Sequence, residues 1–158
     1  MIKSEMIWDL SQLVENTDPT LIQKKLDSMV AEAEKIREKY RGKIKGLDAK
    51  GVLKFLETKD AYTLKFEGVT KYCRLMYSAD STNDVAKHLN DVANKASMRT
   101  LQALAFINIE LGKLLIEKPS LVTDPVLAEY KHYLERLLRR APHMLSETEE
   151  RLVIMKDR

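Results

Sequence analysis

Apolar residues recur at helical spacing along most of this chain, and no segment shows the period-two alternation of a half-buried strand. The clearest stripe alternates steps of four and three residues and consists of Ile22, Leu26, Met29, Ala33, Ile36 and Tyr40. Asp18 is the predicted N-cap, Pro19 the predicted first helical residue and Gly42 the predicted stop. This pattern predicts an amphipathic helix.

The next part of the chain contains two further cap signals. Asp48 predicts a short helix through about Leu56, and Asp60 predicts the start of a third helix. The third helix would carry a set of inward residues, namely Leu64, Val69, Tyr72, Cys73, Met76 and Tyr77. The boundary near Thr58 and Asp60 leaves open one continuous, bent helix instead.

A proline-free stretch from Val85 to about Glu117 predicts one long helix of roughly eight or nine turns. Ser81 and Asp84 just before it have the spacing of a capping box. A helix of this length is expected to form the centre of a bundle and to be buried along more than one face.

The C-terminal part repeats the same signals. Asp124 and Pro125 predict a helix through about Arg140, and Pro142 ends it. Ser146 and Glu149 form a predicted capping box for a last helix of only two or three turns. The apolar residues 152–155 in this helix are contiguous rather than spaced as one stripe. We therefore expect them to need a missing part of the protein or a partner, and they predict self-association.

These segments together predict an all-α fold over residues 1–158, taken as a single helical lobe. The expected architecture is an antiparallel bundle of about five or six helices with one long central helix, joined by short loops.

Composition and charge exclude several classes of protein. The 27 basic and 24 acidic residues give a net charge of +3, too small to predict a nucleic-acid partner. No run approaches the ~20 apolar residues of a membrane span, and the N-terminus does not resemble a signal peptide. The single cysteine, Cys73, excludes an internal disulfide and thiolate-rich metal sites. These features predict a cytoplasmic protein without a membrane partner.

Zinc hydrolysis on a helix requires the pattern H-E-x-x-H, and none of the histidines has that spacing. His132 and Glu135 share one predicted helix face, but two ligands do not complete a site, and the arginines that follow disfavour a cation. The prediction for this chain is therefore no metal and no cofactor.

Residues for nucleophilic catalysis are also lacking. Cys73 lies on the inward stripe of its predicted helix, where a thiol usually packs in the core. His143 follows Pro142 at a predicted helix junction, where a role in capping backbone carbonyls is favoured. The cluster Arg136, Arg139 and Arg140 is interpreted as a solvated helix face. No catalytic residue is predicted, and the chain alone should be inactive.

Several short strings occur in an order that resembles the N-terminal helical region of oligoendopeptidase F, a thermolysin-like zinc oligopeptidase family. The strings are Trp8-Asp9-Leu10 with Asp18-Pro19, then Tyr40-Arg41-Gly42-Lys43, then Tyr77 with Asp80 and Asn83, and finally Tyr130, Leu134-Glu135, His143, Leu145-Ser146-Glu147 and Glu149-Glu150. The last group is the most specific of them.

This resemblance implies a larger enzyme in which a helical N-terminal lobe faces a catalytic domain across a deep channel. The zinc ligands and the catalytic glutamate of that family come from an H-E-x-x-H helix and a further glutamate that this chain lacks. Zinc is thus implied for the parent enzyme alone. The partners implied are the catalytic domain, in cis or in trans, and short peptides as substrates.

The residues that transfer from the resemblance are landmarks with an expected structural role: Trp8, Asp9, Asp18, Pro19, Tyr40, Gly42, Tyr77, Asp80, Tyr130, His143, Ser146 and Glu149. Polar residues of the long predicted helix, Asn90, Asn94 and Asn108, are candidates for lining a channel. The alternative function is a free-standing helical interaction module that has lost the catalytic domain.

Overall fold

The computed structural model describes residues 9–156, and all regular structure within that range is helical. Six α-helices occur there: α1 (Pro19–Tyr40), α2 (Ala49–Ala79), α3 (Asp84–Leu104), α4 (Phe106–Glu117), α5 (Lys131–Arg140) and α6 (Glu147–Lys156). Short 3-10 segments connect them at Ser11–Leu13, Ile44–Gly46, Pro119–Thr123, Pro125–Tyr130 and Ala141–His143. The prediction of an all-α fold is confirmed. Within residues 9–156, no helix combines the length and the apolar character needed to cross a bilayer.

Helices α1, α2 and α3 form the largest part of the core. The first and third run in the same direction and α2 runs opposite to both, because α1 and α2 and then α2 and α3 are joined by short connections. The buried hydroxyl of Tyr62 on α2 donates to the carbonyl oxygen of Met29 on α1 at 3.0 Å and lies 3.3 Å from the hydroxyl of Thr100 on α3. One side chain thus links all three helices.

Helix α1 follows its predicted stripe. All six residues of the stripe, from Ile22 to Tyr40, are buried. The carboxylate of Asp18 accepts the free backbone N–H groups of Thr20 and Leu21 at 2.8 and 3.1 Å, the bonds that an N-cap supplies. Ala33 on α1 and Ala93 on α3 are both buried, and small side chains allow two helices to pack closely.

Helix α2 corrects the prediction of two shorter helices, since residues 49–79 form one helix of 31 residues. The continuous alternative was correct. The polar residues that suggested a break make other contacts: the Thr58 hydroxyl donates to the carbonyl oxygen of Lys54, and Asp60 accepts a hydrogen bond from Tyr130. The inward placement of Leu64 was wrong, because 77% of this residue is exposed.

The long helix predicted from Val85 to Glu117 is divided, and the longest helix is α2 instead. Ala105 separates α3 from α4 while keeping helical angles of φ −56° and ψ −31°. The cap of α3 also differs from the predicted Ser81–Asp84 pair, because the Asn83 side chain accepts the N–H groups of Val85 and Ala86. Helix α4 is buried on several sides, as expected for a central element.

The helix predicted from Pro125 begins later than expected. Residues 125–130 form a 3-10 segment, Leu127 leaves helical geometry at φ −105° and ψ 15°, and α5 starts at Lys131. Leu127, Leu134 and Leu137 are buried, whereas Tyr130 and Leu138 are half-buried. Burial of Leu127 in the core accompanies this local distortion.

Helix α6 begins at the predicted capping box. The Ser146 N–H donates to the Glu149 carboxylate at 2.8 Å, and the Glu149 N–H donates to the Ser146 hydroxyl at 3.3 Å. These are the two reciprocal bonds of the motif. The helix lies beside α3, yet none of its residues is buried.

A close contact between Gly68 and the segment before α1 yields a test of the fold. A Cβ atom at Gly68 would lie 2.2 Å from the carbonyl oxygen of Leu13. We expect Gly68→Ala to displace residues 11–14 from α2 and to speed amide hydrogen exchange at Leu13 and Val14. The stability gain of up to about 1 kcal/mol that alanine gives inside a helix should not be observed.

The control is Gly46→Ala, because nothing lies within 4 Å of the added Cβ atom there. This variant should leave exchange at residues 13 and 14 unchanged. Equal exchange rates at those amides in Gly68→Ala and the unmodified chain would contradict the proposed steric role of Gly68.

Candidate functional site

Three of the landmark carboxylates cap turns or helix ends. Asp9 accepts hydrogen bonds from the backbone and hydroxyl of Ser11 at 2.9 and 2.6 Å, and Asp18 caps α1. Asp80 follows α2 and accepts from the backbone and hydroxyl of Thr82 at 3.0 and 2.7 Å. The Ser11 hydroxyl lowers the pKa of Asp9 and the Thr82 hydroxyl lowers that of Asp80, because these bonds favour the charged carboxylate.

The landmark Gly42 ends α1 and connects it to α4. Its φ of +77° lies in the left-handed region, which glycine adopts without steric cost. The turn directs the backbone N–H of Gly42 to both carboxylate oxygens of Glu110, at 2.8 and 2.9 Å. The glycine therefore lets the end of α1 donate to a charged acceptor on a distant part of the chain.

The neighbouring Arg41 connects the same turn to α6. Its Nε lies 3.2 Å from one carboxylate oxygen of Glu147 and its Nη2 lies 2.9 Å from the other. This is the two-point geometry in which arginine binds a carboxylate. Two landmark strings that are 106 residues apart, at residues 40–43 and 145–150, thus meet in the fold. We call the contacts of Arg41, Gly42, Glu110 and Glu147 the α1–α4–α6 junction.

Tyr40 anchors this junction in the core. The tyrosine is buried, its ring packs edge-on against Phe55 with 4.8 Å between ring centroids, and its hydroxyl lies 3.4 Å from the Thr58 hydroxyl. The end of α1 is consequently fixed on α2 before the chain turns at Gly42.

Tyr130 forms a second link between distant segments. Its hydroxyl donates to the Asp60 carboxylate at 2.8 Å, which ties the segment before α5 to the middle of α2. Desolvation and this contact raise the pKa of Tyr130 to about 12.

Tyr133 on α5 makes a similar link. Its hydroxyl donates to Asn108 on α4 at 3.0 Å, and the Lys59 ammonium on α2 lies 4.6 Å from the centre of its ring.

The remaining landmarks make no comparable link. Tyr77 is half-buried near the end of α2, and His143 is exposed in the 3-10 segment between α5 and α6. Within residues 9–156 the His143 side chain makes no hydrogen bond. Trp8 lies outside the described residues, so its predicted anchoring stays a prediction.

The landmarks do not converge on one catalytic centre. Asp18 and Gly42 flank the 22 residues of α1, which corresponds to about 33 Å of helix. Apart from Tyr77 and His143, the described landmarks lie at helix ends or between helices, where they accept N–H groups or join segments. These contacts hold the helices in fixed positions relative to one another, which is a structural role.

A metal or nucleophile site would need titratable side chains that lie close together. No group of three or more histidine, cysteine, aspartate or glutamate residues in the described range could hold a metal ion. His132 and Glu135 lie on α5 without a third ligand. Cys73 is fully buried, as predicted, and burial raises the pKa of its thiol to about 11. A protonated thiol of this kind is a poor nucleophile.

The surface of α5 carries the predicted basic cluster. Arg136, Arg139 and Arg140 are exposed, and none of them lies within 4.0 Å of a carboxylate oxygen in the part of the chain that the structure describes. Leu134 and Leu137 on the opposite side are buried. This amphipathic arrangement agrees with a solvated helix face.

One open groove of about 460 Å³ lies between residues 12–16, α1 and α2. Its walls include Leu13, Val14, Leu21 and Leu64, with the Lys25–Glu15 ion pair at 3.4 Å. The charged side chains in its lining are Glu15, Lys25 and Lys65, and Glu15 is already paired with Lys25.

Comparison with known proteins identifies one relationship. Residues 117–158 match a model of a peptidase N-terminal family that is described as Oligopeptidase F. The match supports an oligopeptidase F N-terminal region. It covers α5, α6 and the landmarks Tyr130, His143, Ser146 and Glu149, which is the stretch where the sequence resemblance was most specific. No curated protein and no solved structure matches the chain.

The sequence analysis did not single out Glu110, and it did not predict the pairing of Arg41 with Glu147 or of Asp60 with Tyr130. These residues are ordinary surface-type charges in local sequence, and their partners are distant in the chain. The only local signal was Gly42, whose position after a helix indicates a left-handed turn. It does not indicate which acceptor the turn will reach.

The Gly42 turn can be tested by substitution. We expect Gly42→Ala to lower the free energy of unfolding by about 1–2 kcal/mol, because alanine resists left-handed φ. Nothing lies within 4 Å of the added Cβ, so a clash does not contribute. Gly42→Asn is the matched control and should lose less, since asparagine tolerates this region. Urea unfolding measures both, and equal losses would contradict the backbone explanation.

The Tyr130–Asp60 hydrogen bond can be tested through pH. The folded state raises the pKa of Tyr130 from 10.0 to about 12. It therefore holds the phenol proton more tightly than the unfolded state does. The contribution of Tyr130 to the free energy of unfolding is fully present below pH 10 and is lost as the pH rises from 10 to about 12.

We expect Tyr130→Phe to destabilise the protein by about 1–2 kcal/mol near neutral pH, because a hydrogen bond to a carboxylate is lost. The variant should also lose less stability than the unmodified chain between pH 10 and pH 12. Tyr77→Phe serves as the control and should keep the pH dependence. Parallel pH profiles for the unmodified chain and Tyr130→Phe would exclude this role.

Proposed function

We propose that this chain is the non-catalytic N-terminal lobe of a zinc oligopeptidase similar to oligopeptidase F, an enzyme that hydrolyses short peptides. The observation that carries the proposal is the family match over residues 117–158. It falls on the segment that contains the capping box of α6 and the Tyr130 link to α2. The same segment is joined to the first part of the chain by the α1–α4–α6 junction.

The proposal divides the work between this lobe and a catalytic part, located on the same polypeptide or on a separate one. The described residues do not fit a zinc ion, because no third ligand accompanies His132 and Glu135. In such enzymes the zinc would be held by the catalytic part, where it activates water and polarises the peptide carbonyl. This lobe would shape the substrate channel and exclude folded proteins from it.

A helical lobe that covers one side of a channel would admit an extended peptide and exclude folded proteins. It would also limit bulk water, which strengthens electrostatic interactions near a reacting bond. The α3 surface formed by Asp91, Asn94, Lys95 and Arg99 is a polar candidate for this role, because it borders a shallow groove of about 420 Å³. Asn108 fits less well, since its side-chain oxygen already accepts from Tyr133.

We further propose a cytoplasmic location. The support is the single, buried cysteine, which is compatible with a reducing compartment. This part of the proposal would be tested by fractionation of cells that produce the protein with its natural coding sequence.

The division of labour predicts that the purified chain neither binds zinc stoichiometrically nor cleaves short fluorogenic peptides. Supplying the catalytic part of the enzyme, joined or separate, should produce zinc-dependent cleavage that a chelator abolishes. Metal analysis and a peptidase assay measure both outcomes.

Chelator-sensitive cleavage by the chain alone would overturn the proposal. The double substitution His132→Ala and Glu135→Ala supplies the control for such a result. Cleavage that persists in this variant arises from a contaminating peptidase, whereas cleavage that disappears places a metal site on α5.

A further inference from the structure

Helix α6 presents apolar side chains to solvent. The exposed fraction is 60% for Leu152, 51% for Met155 and 42% for Val153, and no residue of the helix is buried; Leu145, just before the helix, is 44% exposed. A helix of ten residues is too short to be stable in water through local propensity alone. Clustered apolar exposure of this kind marks a surface that binds another protein.

The contacts of α6 define which of its faces is free. Its half-buried residues are Glu147, Glu150 and Ile154, which are spaced three and four apart and so form one stripe. Glu147 is bound to Arg41, so this stripe faces the body of the lobe. The outer face is the opposite side of the helix.

Residues on the outer face follow steps of four, three and four: Leu145 just before the helix, then Glu149, Leu152 and Lys156. All four are exposed. This spacing is that of the seam between two packed helices. Val153 and Met155 lie on the two flanks of the seam and add apolar surface beside Leu152. We call this set the α6 seam.

The charges of the α6 seam are ordered so that the seam is complementary to itself. Glu149 lies near its start and Lys156 at its end, with Leu152 between them. When two copies of the helix pack in opposite directions, each Glu149 lies across from the Lys156 of the other copy. The two Leu152 side chains then meet near the twofold axis. Antiparallel packing also places opposite ends of the two helix dipoles together.

We propose that two copies of this chain associate through the α6 seam, antiparallel and about a twofold axis. Such an interface uses the same surface on both copies, so it closes after two chains and does not form a filament. Its small footprint gives a weak, reversible dimer. The inference does not depend on the proposed enzymatic function, and each can fail without the other.

Sedimentation equilibrium from ~1 to ~500 μM covers the affinities of interfaces of this size. We expect a reversible monomer–dimer equilibrium. Leu152→Asp should weaken association at least about tenfold, because it places a charge at the centre of the apolar contact. Leu64→Asp is the matched control, since Leu64 is 77% exposed on α2 and should leave association unchanged.

A monomer at every concentration would overturn the proposal and leave α6 to a different partner. An equal effect of Leu64→Asp and Leu152→Asp would also overturn it, because the association would then be nonspecific. Circular dichroism of each variant checks that a loss of association does not come from a loss of the fold.

The antiparallel orientation has its own test. Lys156→Glu places a carboxylate opposite Glu149 and should weaken the dimer several-fold, more strongly at low salt. Adding Glu149→Gln removes the repulsion while keeping a side chain that serves in a capping box. This second change should restore much of the association. No recovery in the double variant would refute the antiparallel pairing.

Discussion

The burial of the α1 stripe against α2 and α3 is the interaction on which the rest of the structure depends. It fixes the position of Tyr40, and Tyr40 fixes the turn in which Arg41 and Gly42 reach α6 and α4. Those polar contacts are individually modest, since exposed ion pairs and single hydrogen bonds contribute little net stability. They can select one arrangement of the later helices because the hydrophobic core has already set the distances between their partners.

This order of dependence explains why the landmark residues differ from an active site. An active site brings reactive groups within hydrogen-bond reach of one reacting atom. Here the landmarks lie at both ends of α1, at the end of α2 and before α5 and α6, and they accept N–H groups or join segments. The family match at residues 117–158 supports an oligopeptidase N-terminal region.

Local sequence patterns predicted the helical features that depend on residues close together in the chain. The six buried positions of α1, the Asp18 cap and the Ser146–Glu149 capping box depend on residues within four positions of one another. The predictions were wrong where a distant contact outweighed the local signal. Asp60 looked like a helix cap but accepts from Tyr130, and α2 passes through it without a break. The delayed start of α5 coincides with Leu127, which is buried and leaves helical geometry.

The sequence by itself determined the all-α class, the main helix stripes, most caps and the lack of an H-E-x-x-H motif, because these are properties of residue type and spacing. It also contained the apolar run of the last helix. Only the tertiary structure shows that the apolar run of α6 is left uncovered and that the opposite face of the helix contacts Arg41 through Glu147. It likewise decided that the Gly42 N–H reaches Glu110. These outcomes depend on where the packed core places residues far apart in the chain, and local spacing carries no information about that distance.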